Sequence, residues 1–167
     1  LGILMEVLVI VGIMISFAGS SRPASGSEHH LSHFFEITGI LDNQPYFDHG
    51  IDVLYSAYYT QKIREEILKI DEIISSVPIT REKYEQEICR IYHSLTPEIL
   101  RLQDKMGWYE IDKVPVYRQK WQQIKELLAQ TPSSDEMKGY IDAIGLDLNE
   151  FEAMYGKAKI KDALFFA

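Results

Sequence analysis

The sequence predicts an all-α fold. Apolar residues recur at helical spacing along most of the chain, and clusters of proline, glycine, serine and threonine separate the apolar runs. No stretch shows the clear alternation of apolar and polar residues that marks a half-buried strand. We therefore expect about six or seven helices in a single domain over residues 1–167, beginning with a buried helix.

The first predicted helix covers residues 1–19, an apolar run in which Glu6 is the charged residue. A helix that is apolar on all sides is either fully buried or embedded in a membrane. Because no lysine or arginine precedes the run and Glu6 lies within it, a buried core helix is favoured over a membrane span. The alternative is a non-enzymatic helical protein that this segment anchors in a membrane.

Residues 20–27 read as a loop between two helices. They lack apolar periodicity, and Arg22 followed by Pro23 disfavours helix at that point. The Arg22 guanidinium, several hydroxyls and free backbone N–H groups are suited to hold a phosphate, and the next helix offers its positive N-terminal end. The alternative is a polar linker with one surface arginine.

Four of the five histidines lie between residues 20 and 50. If Ser27 caps a short helix over residues 29–38, His29 and His33 share one face of that helix. A turn-rich segment over residues 39–45 would allow His49 to return to the same face. Neutral imidazoles bind zinc, nickel or iron, so the sequence predicts a metal site, although this histidine spacing also occurs on solvated helices.

The rest of the chain reads as further helices separated by turns. Proline, glycine and capping residues mark their ends. The predicted elements are a long amphipathic helix from Ile51 to Val77-Pro78, a helix capped by Thr80 and ending near Leu95, a helix opened by Thr96-Pro97 and ending near Met106, a connector over Trp108–Pro115, a helix over Val116–Gln130, a short helix from the 131–134 loop to Gly145, and a helix beginning at Asn149.

Charge and cysteine content exclude several classes of partner. The formal net charge is -8, with 17 Lys+Arg against 25 Asp+Glu, so nucleic acid and acidic membrane surfaces would repel the chain. The single cysteine, Cys89, forms no intramolecular disulfide and suits a reducing compartment, which predicts a cytoplasmic protein.

The run Ser-Arg-Pro-Ala-Ser-Gly-Ser-Glu-His-His-Leu-Ser-His, followed by His49-Gly50, resembles the sn-glycerol-1-phosphate dehydrogenases. Glycerol dehydrogenase, dehydroquinate synthase and the iron-containing alcohol dehydrogenases, in the same superfamily, resemble it only in the His-x-x-x-His and His-Gly parts. The resemblance implies a cytoplasmic oxidoreductase of phospholipid biosynthesis that reduces dihydroxyacetone phosphate to sn-glycerol-1-phosphate with NAD(P)H. A glycerol dehydrogenase or dehydroquinate synthase relative is the alternative within the superfamily.

The resemblance also implies roles for individual residues. His29 and His49 are expected to ligate a divalent metal, zinc or nickel, and His33 is expected to be the catalytic histidine that contacts the substrate. Ser21 and Arg22 are expected to bind the substrate phosphate. The third metal ligand of the family, an aspartate, has no counterpart in this chain, and Ile51 stands where relatives commonly carry glutamate.

The sequence contains no Gly-x-Gly-x-x-Gly run and no strand-turn-helix unit, the usual marks of a dinucleotide-binding domain. The resemblance accounts for this, because the family has an N-terminal α/β domain for NAD(P) and a C-terminal helical domain that carries the metal. We therefore interpret the chain as the dehydroquinate synthase-like C-terminal domain, a fragment without activity by itself. The choice between NADH and NADPH and the formation of a homo-oligomer remain open.

Overall fold

The computed structural model describes residues 1–73, 79–107 and 112–167. Over these residues the chain forms nine α-helices and one 3₁₀-helix. They are α1 Gly2–Ala18, α2 Ser27–Asp42, α3 His49–Leu68, α4 Arg81–Tyr92, the 3₁₀-helix His93–Leu95, α5 Thr96–Met106, α6 Val114–Gln119, α7 Trp121–Leu128, α8 Ser134–Ala143 and α9 Leu148–Phe166. The described residues contain no strand, and the all-α prediction is confirmed.

The core is an aromatic cluster at the place where α9 packs against α2 and α3. Phe151 on α9 is fully buried, and its ring centroid lies 5.2 Å from that of Phe35 and 5.0 Å from that of Tyr55. Phe35 also stacks on Tyr155, with ring centroids 4.2 Å apart. Rings of this size bury large apolar areas, so this cluster fixes the relative positions of the three helices.

The loop between α2 and α3 folds back along α2. Asn43 ends α2 in the left-handed conformation (φ 51°), and its backbone N–H bonds back to the last turn. Tyr46 then lies so close to Gly39 that a β-carbon at position 39 would be 2.6 Å from Cδ1 of the tyrosine. Glycine at this helical position therefore lets the loop return towards the middle of α2.

Several predicted helix ends are confirmed. The Thr80 hydroxyl accepts the backbone N–H of Lys83 at the start of α4, and Gly107 ends α5 with a positive φ of 65°. Ser133 and Glu136 form a reciprocal capping box at the start of α8. These signals depend on residues within one turn of each other, which makes them readable from sequence.

The prediction that the first helix is buried is wrong. The helix forms as α1, but none of its residues is buried, and Phe17, next to its last residue, is 90% exposed. An all-round apolar helix is covered only when other elements surround it, and most residues of α1 are exposed in this structure.

Other helix boundaries also differ from the prediction. Helix α3 ends at Leu68, and the carbonyl groups of Ile70 and Asp71 accept hydrogen bonds from the Trp121 indole, at 3.3 Å and 3.2 Å. The predicted end at Val77-Pro78 lies outside the described residues, as does the first half of the predicted Trp108–Pro115 connector. The helix predicted over residues 116–130 is interrupted at Lys120 between α6 and α7.

At the other end of the predicted metal-site helix, Gly26 rather than Ser27 is the N-cap of α2, and the helix continues through Gly39 to Asp42. Within the described ranges, no helix has both the length and the apolar character needed to cross a membrane.

Replacing Phe151 with alanine tests the aromatic core. Because the ring is 0% exposed, Phe151→Ala should lower the free energy of unfolding by about 3–5 kcal/mol, measured by chemical denaturation. Phe165→Ala is the matched control, since that ring is 73% exposed and its loss should change stability by less than about 0.5 kcal/mol. Equal losses in the two variants would contradict the assignment of the core.

Candidate metal centre

Three histidines from two helices lie together at the surface. His29 and His33 stand one turn apart on α2, and His49 is the first residue of α3. The ring centroids are 5.4 Å apart for His29 and His49, 5.0 Å for His33 and His49, and 6.4 Å for His29 and His33. The structure therefore brings together the histidines that the sequence predicted, by way of the loop that returns across Gly39.

Glu36 connects two of these histidines. Its Oε1 lies 2.7 Å from Nδ1 of His49, and its Oε2 lies 3.0 Å from Nδ1 of His33. Partial burial opposes ionisation of this carboxyl, but the hydrogen bonds from both histidines outweigh it and hold the pKa of Glu36 below its ordinary value. Sequence reasoning missed Glu36, although its position three residues after His33 places it on the same helical face.

His29 has a carboxylate partner of its own. Glu28 Oε1 lies 3.1 Å from Nδ1 of His29 and also accepts the backbone N–H of Gly26 at 2.9 Å. Partial burial raises the pKa of Glu28, but backbone hydrogen bonds and His29 more than compensate, so the pKa lies below its ordinary value. Each clustered histidine thus has an ionised carboxylate at Nδ1.

This arrangement fits a divalent cation. An ionised carboxylate only accepts hydrogen bonds, so each Nδ1 carries the proton and each Nε2 keeps its lone pair. Histidines that bind metal in proteins generally have this pattern, with one ring nitrogen on the ion and the other donating to a carboxylate or carbonyl group. His33 and His49 have side-chain exposures of 55% and 45%, which leaves the cluster open to solvent.

The positions of possible ligand atoms distinguish the three histidines. His33, Glu36 and His49 each offer a ligand atom, and these atoms lie within 4.8 Å of one another. His29 is not a member of this group, although its ring is close to that of His49. The predicted ligand pair of His29 and His49 remains a prediction.

Ser21 and Arg22 lie in the exposed loop before α2. In that loop the backbone N–H of Ala24 is bonded to the carbonyl oxygen of Ser21, and the N–H of Gly26 is bonded to Glu28. Two of the backbone groups expected to bind phosphate are therefore engaged, and the carboxylate of Glu28 already lies at the positive end of α2. The Arg22 side chain is exposed and stays the predicted phosphate ligand.

Behind His49 lies a buried carboxyl group that sequence reasoning also missed. Asp52, one turn after His49 on α3, is 0% exposed, and the Tyr155 hydroxyl lies 2.8 Å from both of its carboxyl oxygens. Burial raises the pKa of Asp52 to about 7; the Tyr155 hydrogen bond and the charge of His49 lower it, while the negative charge of Glu36 raises it. Nothing in the sequence indicates that this polar residue is buried.

A separate, mainly apolar cavity of about 920 Å³ lies between α2, α3, α4, α5 and α9. None of the three clustered histidines lines it, whereas the adjacent His30 does. Neighbouring residues on a helix point in different directions, so His30 belongs to this cavity and not to the histidine cluster.

The fold and the cluster define a helical domain with a histidine–carboxylate site suited to a divalent cation. The chain is 27% identical over 143 residues to a glycerol-1-phosphate dehydrogenase [NAD(P)+] of Geobacillus thermodenitrificans, covering 86% of this chain and 29% of that protein. It is 38% identical over 84 residues to the enzyme of that name from Korarchaeum cryptofilum, covering 48% of this chain and 27% of that protein. Over these stretches the chain is similar to glycerol-1-phosphate dehydrogenases.

A third relative is similar over a shorter stretch of the chain. The glycerol-1-phosphate dehydrogenase [NAD(P)+] of Bacillus licheniformis is 38% identical over 65 residues, covering 39% of this chain and 16% of that protein. The chain thus spans less than a third of the length of these curated relatives. No family model matches the chain. No solved structure matches it.

Asp52→Asn should change how stability depends on pH. An aspartate whose pKa is raised to about 7 in the folded state keeps its proton there while the unfolded chain loses it, so stability falls as pH rises from about 4 to 7, by at most about 1.4 kcal/mol per pH unit. Asparagine does not ionise, so the difference in unfolding free energy between variant and wild type should shift in favour of the variant across this window and level off above it.

Denaturant unfolding at several pH values measures this difference. Asp71→Asn makes the same chemical change at an exposed position and is the matched control. A difference between Asp52→Asn and wild type that stays constant from about pH 4 to 8 would contradict the raised pKa.

Proposed function

We propose that this chain is the helical, metal- and substrate-binding part of a dehydrogenase that reduces dihydroxyacetone phosphate to sn-glycerol-1-phosphate with NAD(P)H. One observation carries the proposal: three histidines cluster within 6.4 Å, each with a carboxylate at Nδ1. The names of the relatives support the same reaction, which is that of a whole enzyme. The helical content of the described residues is consistent with a part that carries metal and substrate, with NAD(P) bound by an α/β domain elsewhere.

We assign the metal ligands to His29 and His49, through Nε2 of each, with an aspartate outside this chain as the third ligand. A donor set of two imidazoles and a carboxylate suits zinc or nickel. His33 would then contact the substrate oxygen and would not bind the ion. The grouping of His33 and His49 with Glu36 offers a different ligand set. The two assignments predict opposite effects of His33→Ala on metal binding.

The chemistry that a divalent cation supplies at such a site is polarisation of a carbonyl or hydroxyl oxygen. The residues of this chain place and orient the substrate. His33 is exposed enough to reach a bound molecule, and a neutral imidazole can donate or accept a hydrogen bond at its reacting oxygen. Arg22 supplies the positive charge for the phosphate, a role that guanidinium groups fill through paired hydrogen bonds. The single cysteine fits a cytoplasmic enzyme.

Alanine variants of the three histidines test the ligand assignment. In the dehydrogenase that contains this chain, His29→Ala and His49→Ala should each lose the metal, because each removes one of few ligands. His33→Ala should keep the metal and lower kcat/KM by about 10²–10⁴-fold. Metal content by mass spectrometry and steady-state kinetics measure these effects, and His93→Ala, whose ring pairs with Asp42 instead, is the control. Metal loss in His33→Ala with retention in His29→Ala would replace the ligand pair by His33 and His49.

Arg22→Ala tests the phosphate site. The variant should raise KM for dihydroxyacetone phosphate much more than KM for dihydroxyacetone, because only the phosphorylated substrate presents a charge to the guanidinium. Arg101→Ala removes a surface arginine from α5 and should change neither value. An equal rise of KM for both substrates in Arg22→Ala would make the loop structural and place the phosphate elsewhere.

A further inference from the structure

Glu36 is the one described carboxylate whose two oxygens lie within hydrogen-bond distance of two clustered histidines, at 2.7 Å from His49 and 3.0 Å from His33. Its side chain is only 20% exposed, so most of it is covered by its neighbours. The contact between Glu36 and His49 joins α2 to α3. The two residues are 13 positions apart in the sequence. A simple surface salt bridge would need only one of these two contacts.

The chemistry of the carboxylate determines what this contact does. Each oxygen of an ionised carboxylate accepts, so both imidazoles must present an N–H to it. The proton of each neutral ring is then on Nδ1, and the lone pair is on Nε2. Ser32 also lies 3.1 Å from Nδ1 of His49, but a hydroxyl both donates and accepts and cannot select one tautomer.

We propose that Glu36 is a positioning residue that fixes the tautomers of His33 and His49 together, so that both rings keep the Nε2 lone pair for an ion or a substrate. One carboxylate thereby prepares the ligand histidine on α3 and the substrate-contacting histidine on α2. Its effect on the histidines follows from geometry alone, whereas its effect on metal binding rests on the function proposed above.

Glu36→Gln gives a sharp test because the amide differs from the carboxylate in one respect. It has one acceptor oxygen and one donor nitrogen, so only one of the two imidazoles can still donate through Nδ1. The other imidazole faces an N–H group and should change to the tautomer with the proton on Nε2. Nitrogen-15 NMR of the metal-free chain, labelled at histidine and held at about pH 8, above the ordinary histidine pKa of roughly 6.5, reports each tautomer directly.

In the wild-type chain, His33 and His49 should both carry the proton on Nδ1, and in Glu36→Gln one of them should not. Glu28→Gln is the matched control, because His29 is the one clustered histidine that Glu28 contacts and the variant should alter the tautomer signals of His29 only. Glu36→Asp keeps a group that only accepts hydrogen bonds. The wild-type tautomer should therefore persist in at least one more of the two rings than in Glu36→Gln. Unchanged tautomers at both His33 and His49 in Glu36→Gln would overturn the proposal.

Zinc titration against a chromophoric chelator gives the second readout. Loss of a hydrogen-bond partner of a ligand histidine typically weakens metal binding by about 10–100-fold, and we expect Glu36→Gln to fall in this range. Wild-type affinity in Glu36→Gln, or complete loss of binding, would overturn the positioning role, the latter because Glu36 would itself be a ligand. If the wild-type chain binds no zinc but the tautomers change as expected, the metal-centre function fails for this chain and the role of Glu36 in setting the tautomers stands.

Discussion

The Tyr155 hydroxyl is the point on which the arrangement of the site depends. It donates to the buried Asp52 on α3, at 2.8 Å, and accepts the backbone N–H of Phe47 in the α2–α3 loop, at 3.0 Å. One group on α9 therefore fixes both the loop that precedes His49 and the helical turn that follows it. Because Asp52 and Tyr155 are both buried, neither can exchange this bond for water without cost. The position of the surface histidine cluster is thus determined by a polar contact in the core.

The polar contact works together with the aromatic rings around it. Phe35 stacks on Tyr155 from α2 and meets Phe151 edge-on, so the helix that carries His29, His33 and Glu36 is held by the same cluster that holds the hydroxyl. The histidine site is exposed and polar, while the residues that position it are buried and mostly apolar. Such a division lets the side chains of the site meet solvent and ligands while the backbone beneath them stays fixed.

Local signals in the sequence predicted the helices well, and contacts between distant residues account for most of the differences. The Thr80 cap and the Gly107 end depend on residues within one turn, and both are confirmed, as is a helix that begins in the 131–134 loop. The end of α3 could not be predicted, because Trp121, some fifty residues later, binds the carbonyl groups that follow it. Helical spacing also predicted that α1 forms, but it could not show whether other helices pack against α1. Glu36 and Asp52 were missed because acidic residues on a helix are usually solvated, and only the tertiary fold shows what they contact.

The close approach of Tyr46 to Gly39 links two positions that contribute no chemistry of their own. A β-carbon at position 39 would lie 2.6 Å from the tyrosine ring, so a larger residue there would push the loop outward and move His49 with it. Substitutions at these positions are therefore expected to be coupled during evolution: a side chain at position 39 is tolerable only when position 46 becomes smaller. Homologous sequences that retain the histidine cluster should vary at the two positions together, which makes the pair a marker for this loop conformation in other chains.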